Sequence, residues 1–104
     1  MFDSIKKLFG FTPSTNYAQL LKDGALIVDV RSKGEYASGH INGSINISVD
    51  TLRSNLGNLK DKNRTIITCC ASGMRSASAK SILKSNGYTS VYNGGGWSSL
   101  KNKI

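Results

Sequence analysis

The apolar residues of this chain fall into short runs that alternate with segments of helical periodicity. The run at 25–30 is almost continuously apolar, as in a parallel strand covered on both faces. The pattern predicts strands at 25–30, 44–47, 64–69 and 89–92, and helices at 17–24, 35–37, 51–56, 76–85 and 97–100. Asp50 is predicted to cap the helix at 51–56, and the glycine-rich segment 93–96 to form a sharp turn. The repeated order of strand and then helix predicts an α/β fold, a parallel sheet with helices on both faces.

The first residues carry a separate amphipathic pattern. In residues 1–11 the apolar side chains share one side of a helical wheel, opposite polar and charged ones. So short a helix is marginal on its own, and we expect it to lie on a surface, that of its own domain or of a partner rather than a membrane. We therefore divide the chain into an N-terminal amphipathic segment, residues 1–12, and one globular domain, residues 13–104.

Composition narrows the class of protein. Hydrophobic residues make up 38% and charged residues 19% of the 104 residues, without low-complexity tracts, which indicates one globular domain. No apolar stretch approaches the roughly 20 residues of a membrane span, and no signal-peptide pattern follows Met1, so a cytoplasmic location is expected. The net charge of +8 comes with dispersed lysines and no interleaved aromatic stripe. This favours a solvated surface over one that binds nucleic acid.

The stretch 68–76 has the pattern of a reactive site. An apolar strand ends at two cysteines, a loop of small residues follows, and a helical pattern begins immediately afterwards. Backbone N–H groups that converge at the start of a helix stabilise negative charge on sulfur or on a bound anion. Cys70 is therefore the candidate nucleophile, because the thiolate is the reactive form of cysteine. Strand alternation aims the Cys69 side chain at the opposite face, where a packing role is expected.

Three further residues are candidates for structural or chemical roles. Asp29 and Arg31 lie at the carboxyl end of the strand at 25–30, and such ends gather in one crevice of an open α/β sheet. We expect Asp29 to accept loop N–H bonds, and His40, beside Gly39, to act as a hydrogen-bonded turn residue rather than a general base. One histidine and an adjacent cysteine pair lack the ligand spacing of a zinc site, so no metal is predicted.

Three segments together resemble the single-domain rhodanese family of sulfurtransferases. They are Val28-Asp29-Val30-Arg31, then Glu35-Tyr36 with Gly39-His40-Ile41-x-Gly43-Ser44-x-Asn46, and Cys70-x-x-Gly73-x-Arg75-Ser76. With Gly87-Tyr88-x-x-Val91-Tyr92-Asn93, the likeness extends over roughly residues 14 to 100. It implies a central parallel sheet of about five strands and an active loop from Cys70 to Arg75.

The resemblance also implies a reaction. In this family a cysteine thiolate takes the outer sulfur of a small anionic donor, such as thiosulfate or a persulfide, and passes it to a thiol or to cyanide. The thiol acceptor can belong to a partner protein, and no cofactor is implied. By position, the substrate-binding residues would be Ala71, Ser72, Gly73, Met74, Arg75, Gly95 and Gly96, with Asp29, Arg31 and His40 as structural support. Arg75 would add positive charge to the loop.

Two alternatives to sulfur transfer remain open. Phosphatases and arsenate reductases related to this fold also use a loop cysteine and an arginine, but tyrosine-phosphatase-type loops place that arginine one position further from the cysteine than Arg75 lies from Cys70. A non-catalytic or regulatory binding module is the other alternative, although such domains usually lack the cysteine. The donor is also open, because many members that use thiosulfate have a basic residue where this chain has Ala71.

Overall fold

The computed structural model describes residues 15–104, and its core is a parallel sheet. The strands are β1 (Leu26–Asp29), β2 (Ile45–Asn46), β3 (Ile66–Cys70) and β4 (Val91–Gly96). They pair in the order β2-β1-β3-β4, and every neighbouring pair is parallel. The predicted α/β architecture is therefore confirmed. The amphipathic segment predicted for residues 1–12 lies outside the described residues.

Helices cover both faces of this sheet, as predicted. They are α1 (Tyr17–Lys22), α2 (Lys33–Ser38), α3 (Met74–Ser85) and α4 (Trp97–Lys101), with a 3-10 segment at Val49–Asn58. Side chains of α3 and of the 3-10 segment pack on one face in a cluster that includes Cys70, Leu52 and Leu83. On the other face, α1 and α4 pack in a second cluster that includes Cys69 and Leu100. No helix within residues 15–104 has both the length and the apolar character needed to cross a membrane.

The register of β1 and β3 brings two candidate positions side by side. Asp29 pairs with Cys69, so the carboxyl ends of the two strands lie at the same edge of the sheet. This confirms the predicted meeting of these strand ends. On the other side of β3, Thr68 pairs with Asn93 and Cys70 with Gly96, with an irregularity between the two pairs. The loop that follows Cys70 therefore leaves the sheet between β1 and β4.

The glycine-rich segment 93–96 was predicted as a turn, and this is wrong because the segment belongs to β4. A Cβ added to Gly94 would lie 2.8 Å from both Ile67 Cγ2 and the Thr68 carbonyl oxygen. Glycine is therefore required here for a close approach of two strands, a tertiary cause that also produces glycine-rich sequence. Only Gly95 in this segment has the left-handed backbone conformation typical of a turn, with φ of +79°.

Three other predictions differ from the structure. The sheet of residues 15–104 has four strands where about five were expected, and these four match the four apolar runs of the sequence. Asp50 does not cap a helix, because the segment begins after Ser48 as a 3-10 helix without a side-chain cap. Helix α3 begins at Met74, two residues before the predicted start. Because α3 begins earlier, its N-terminal end lies directly beside the loop that follows Cys70.

Candidate active site around Cys70

Cys70 ends β3, and two backbone N–H groups converge on its sulfur. The Gly73 N–H donates to Cys70 Sγ at 2.9 Å, and the Ser76 N–H donates at 3.3 Å. Gly73 has φ of +107°, a left-handed conformation that turns the chain back toward the sulfur before α3 begins. Hydrogen bonds of this kind, at the positive end of a 12-residue helix, stabilise a thiolate.

Cys69 occupies the opposite face of the sheet and a different environment. Its side chain packs with Ile27, Ile67 and Leu100. Burial, reinforced by the nearby Asp29 carboxylate, raises the pKa of the Cys69 thiol to about 12. Cys69 is therefore a protonated, packed thiol at neutral pH. The alternation of side chains along β3 is as the sequence predicted.

Arg75, at the end of the loop, forms an ion pair with Glu35 of α2. Its two terminal nitrogens donate to the two Glu35 carboxylate oxygens at 2.7 and 3.0 Å. Hydrogen bonding to Arg75, and to the Ser32 cap of α2, lowers the pKa of Glu35 to about 2. Because the two residues are 40 positions apart, local sequence patterns gave no sign of the contact. Glu35 stood in the family motif, but it was not among the predicted site residues.

Asp29 and Arg31 form a buried pair at the end of β1. Arg31 Nε donates to both Asp29 oxygens at 3.0 and 3.1 Å, and its Nη2 donates to Asp29 at 2.8 Å. The same guanidinium donates to the carbonyls of Gly39 at 2.6 Å and Glu35 at 3.2 Å, and lies over the Trp97 ring at 4.6 Å. This arrangement joins β1, α2 and α4 beside the loop, with the charges satisfied inside the fold.

His40 lies in the turn after α2, where it contacts Tyr36. Its Nδ1 is 2.8 Å from the Tyr36 carbonyl oxygen, and its ring stacks on the Tyr36 ring with centroids 3.8 Å apart. The geometry is that of a packed turn residue. Among residues 15–104, no group of three or more histidine, cysteine or acidic side chains is placed to hold a metal ion.

A buried polar network supports the loop from below, and sequence reasoning missed it. Ser76 Oγ donates to Asn93 Oδ1 at 2.6 Å, and the Gly95 N–H donates to the same oxygen at 2.9 Å. Thr68 Oγ1 lies 2.7 Å from Ser76 Oγ. The sequence did hold a signal, because a hydroxyl inside an apolar strand such as β3 requires a partner when it is buried.

The two glycines predicted to line the pocket lie against the loop. A Cβ added to Gly96 would lie 2.9 Å from the Ala71 carbonyl oxygen, and one added to Gly73 would lie 3.5 Å from Gly95 Cα. The end of β4 therefore forms the wall behind the loop. On the outer side, Ala71 and Ser72 are exposed.

A groove of about 620 Å³ adjoins the loop on the Cys70 face of the sheet. Arg75 lines this groove, and Val30 and Ile47, which belong to the same apolar cluster as Cys70, form part of its wall. The other lining residues are mostly polar: Ser32, Lys33, Asn46, Ser48, Val49, Asp50, Thr51, Asn55 and Asn58. Amides and hydroxyls outnumber charges in this groove.

Comparison with known proteins gives consistent matches. The model of the rhodanese-like domain family matches residues 13–103. The thiosulfate sulfurtransferase PspE of Escherichia coli is 39% identical over 70 residues, which are 66% of this chain and 67% of that protein. The tRNA uridine(34) hydroxylase of Buchnera aphidicola is 38% identical over 73 residues, but the chain spans only 23% of its length. The human single-domain sulfurtransferase TSTD1 superposes with a TM-score of 0.71 and 30% identity, covering 85% of this chain and 91% of that one.

Proposed function

Because the chain belongs to the rhodanese-like domain family, we propose that it is a sulfurtransferase that carries sulfur as a persulfide on Cys70. A donor such as thiosulfate or a persulfide supplies the outer sulfur, and a thiol or cyanide accepts it. The observation that supports this most directly is the pair of N–H groups, from Gly73 and Ser76, aimed at Cys70 Sγ. They provide the charge stabilisation that a sulfur nucleophile needs.

The proposed reaction has two half-reactions at the same sulfur. The Cys70 thiolate attacks the outer sulfur of the donor; a new S–S bond forms, and the donor's own bond to that sulfur breaks. With thiosulfate, sulfite leaves with the bonding electron pair. An acceptor thiolate or cyanide then attacks the outer sulfur of the Cys70 persulfide, and the Cys70 thiolate is regenerated. No net oxidation of the protein occurs over the cycle, and the kinetics are of the ping-pong type.

The exposed loop residues support access of both substrates. Ala71 and Ser72 are exposed, and Met74 is 80% exposed. The substrate-binding residues in this proposal are Ala71, Ser72, Gly73, Met74 and Arg75, with Gly95 and Gly96 behind them. Access from outside suits acceptor thiols of small molecules and of partner proteins alike.

The test is the mass of the protein after reaction with a sulfane-sulfur donor. The parent is expected to gain about 32 Da, one sulfur atom, on the peptide that contains Cys70, and to lose it when a thiol is added. Cys69→Ser is the matched control and should gain the same mass, whereas Cys70→Ser should not. A protein that accepts no sulfur from thiosulfate or from a persulfide would instead behave as the non-catalytic binding module.

A further inference from the structure

We propose that the donor site disfavours thiosulfate and takes its sulfur from an organic persulfide, R–S–SH. The inference rests on the sulfurtransferase function proposed above and specifies its donor class. It follows from the charges that surround the loop. Thiosulfate is a dianion whose sulfonate oxygens need cationic or strongly polar partners, whereas the reacting end of a persulfide is a sulfur next to an organic group.

The active loop itself contains a single cation, and that cation is already paired. Residues 71–74 are uncharged, so only Arg75 brings positive charge to the loop. Both of its terminal nitrogens donate to Glu35, one to each carboxylate oxygen. A guanidinium held in this two-bond geometry presents little of its charge to a second anion. To bind the sulfonate, Arg75 would have to give up its hydrogen bonds to the Glu35 carboxylate.

Within residues 15–104, neither Arg31 nor Lys33 supplies the missing charge. Arg31 is buried and bonded to Asp29, and it also donates to the backbone carbonyls of Glu35 and Gly39. Lys33 lines the groove that adjoins the loop, but the same groove contains the carboxylate of Asp50. The N–H groups of Gly73 and Ser76 are directed at Cys70 Sγ. They therefore stabilise the attacking sulfur rather than donor oxygens.

Met74 gives the loop an apolar contact at its outer side. It is 80% exposed, which is unusual for a large hydrophobic side chain, and it is the last residue of the uncharged stretch 71–74. A flexible thioether packs well against organic groups of varied shape. The loop thus combines the exposed apolar side chain of Met74 with Arg75, whose charge is paired with Glu35. This combination suits the organic part of R–S–SH better than it suits a sulfonate.

The two donors also differ in what must leave the site. With the organic persulfide, the Cys70 thiolate attacks the outer sulfur, giving Cys70–S–SH and R–S⁻, a monoanion. With thiosulfate the leaving group is sulfite, a dianion. Atoms and charge balance in both cases, and neither step needs an external oxidant. The dianion requires more positive charge at the moment of bond breaking.

The experiment compares loading of Cys70 from thiosulfate and from cysteine persulfide, whose amino and carboxylate charges cancel. For the parent we expect a kcat/KM at least about tenfold higher with the persulfide, the equivalent of one missing charge-assisted hydrogen bond. Ala71→Arg adds a cation beside the sulfur and should shift the ratio toward thiosulfate by about tenfold. Glu35→Gln should shift it in the same direction by freeing Arg75.

Ser81→Arg is the matched control, because it adds the same charge to an exposed site on α3 about 10 Å further along the helix. It should leave the ratio close to that of the parent. The inference is overturned if the parent loads from thiosulfate as efficiently as from the persulfide, or if Ser81→Arg shifts the ratio as much as Ala71→Arg. Failure of both donors to place sulfur on Cys70 would instead remove the proposed function.

Discussion

Cys69 and Cys70 are adjacent in the chain and equally buried, with no exposed surface on either, and each packs in an apolar cluster, yet the polar groups beside them differ. Cys69 faces apolar side chains and the Asp29 carboxylate, which disfavour its thiolate. Cys70 faces two converging N–H groups at the start of α3. Burial alone therefore does not decide the reactivity of a thiol. The decisive factor is which polar groups share its side of the sheet.

Exchange of each cysteine for serine is the strongest test of the different roles assigned to Cys69 and Cys70. Cys70→Ser should reduce sulfur transfer to cyanide at least about 1,000-fold, because the nucleophile is lost. Cys69→Ser should retain most of the activity, since this side chain faces the other cluster. Initial rates of thiocyanate formation, with the folded state checked by circular dichroism, measure both effects. Equal losses in the two variants would contradict the assignment.

Alkylation compares the two thiols in one molecule. At neutral pH, iodoacetamide should modify Cys70 well before Cys69, because the raised pKa of Cys69 leaves almost no thiolate there. Both should react together once the protein is unfolded in guanidinium. Peptide mass mapping over time gives the two rates. If Cys69 is modified first in the folded protein, the roles assigned to the two cysteines are wrong.

Gly94→Ala tests the packing behind the Cys69 face. Its new Cβ would meet the Thr68 carbonyl oxygen at 2.8 Å, a backbone atom that cannot easily move. We expect a loss of about 1–3 kcal/mol in the free energy of unfolding, typical of overpacking. Gly57→Ala is the control, since no atom lies within 4 Å of its added Cβ. Urea denaturation of the two variants should separate them, and similar midpoints would disprove the close approach.

The smallest expected effect is the pH dependence of the stability that Glu35 contributes to the fold. Its folded-state pKa of about 2 lies below its ordinary value of 4.5, so the ion pair with Arg75 stabilises the fold above pH 4.5. That contribution disappears as the pH falls toward 2. Glu35→Gln should therefore be less stable than the parent at pH 7, with the difference shrinking at pH 3. Denaturant midpoints at several pH values test this, and a constant difference would count against it.

Sequence patterns predicted the fold wherever local rules govern it. The apolar runs gave the four strands, and alternation placed Cys69 and Cys70 on opposite faces. The contact of Arg75 with Glu35 was not predictable in this way, because it depends on how the first turns of α2 and α3 meet in space. The glycine-rich end of β4 was misread for a related reason: only the packing of Gly94 against Ile67 distinguishes a close strand contact from a turn.

The oxygen of Asn93 has a consequence for engineering this protein. By accepting hydrogen bonds from Ser76 and Gly95 together, it fastens the start of α3 to the sheet without using any outward-facing loop residue. Ala71, Ser72 and Met74 are exposed and take no part in the bonds to this oxygen. If the proposed function holds, these three positions form a small set for randomised libraries, in which altered donor preference can be selected while the Cys70 thiol keeps its setting.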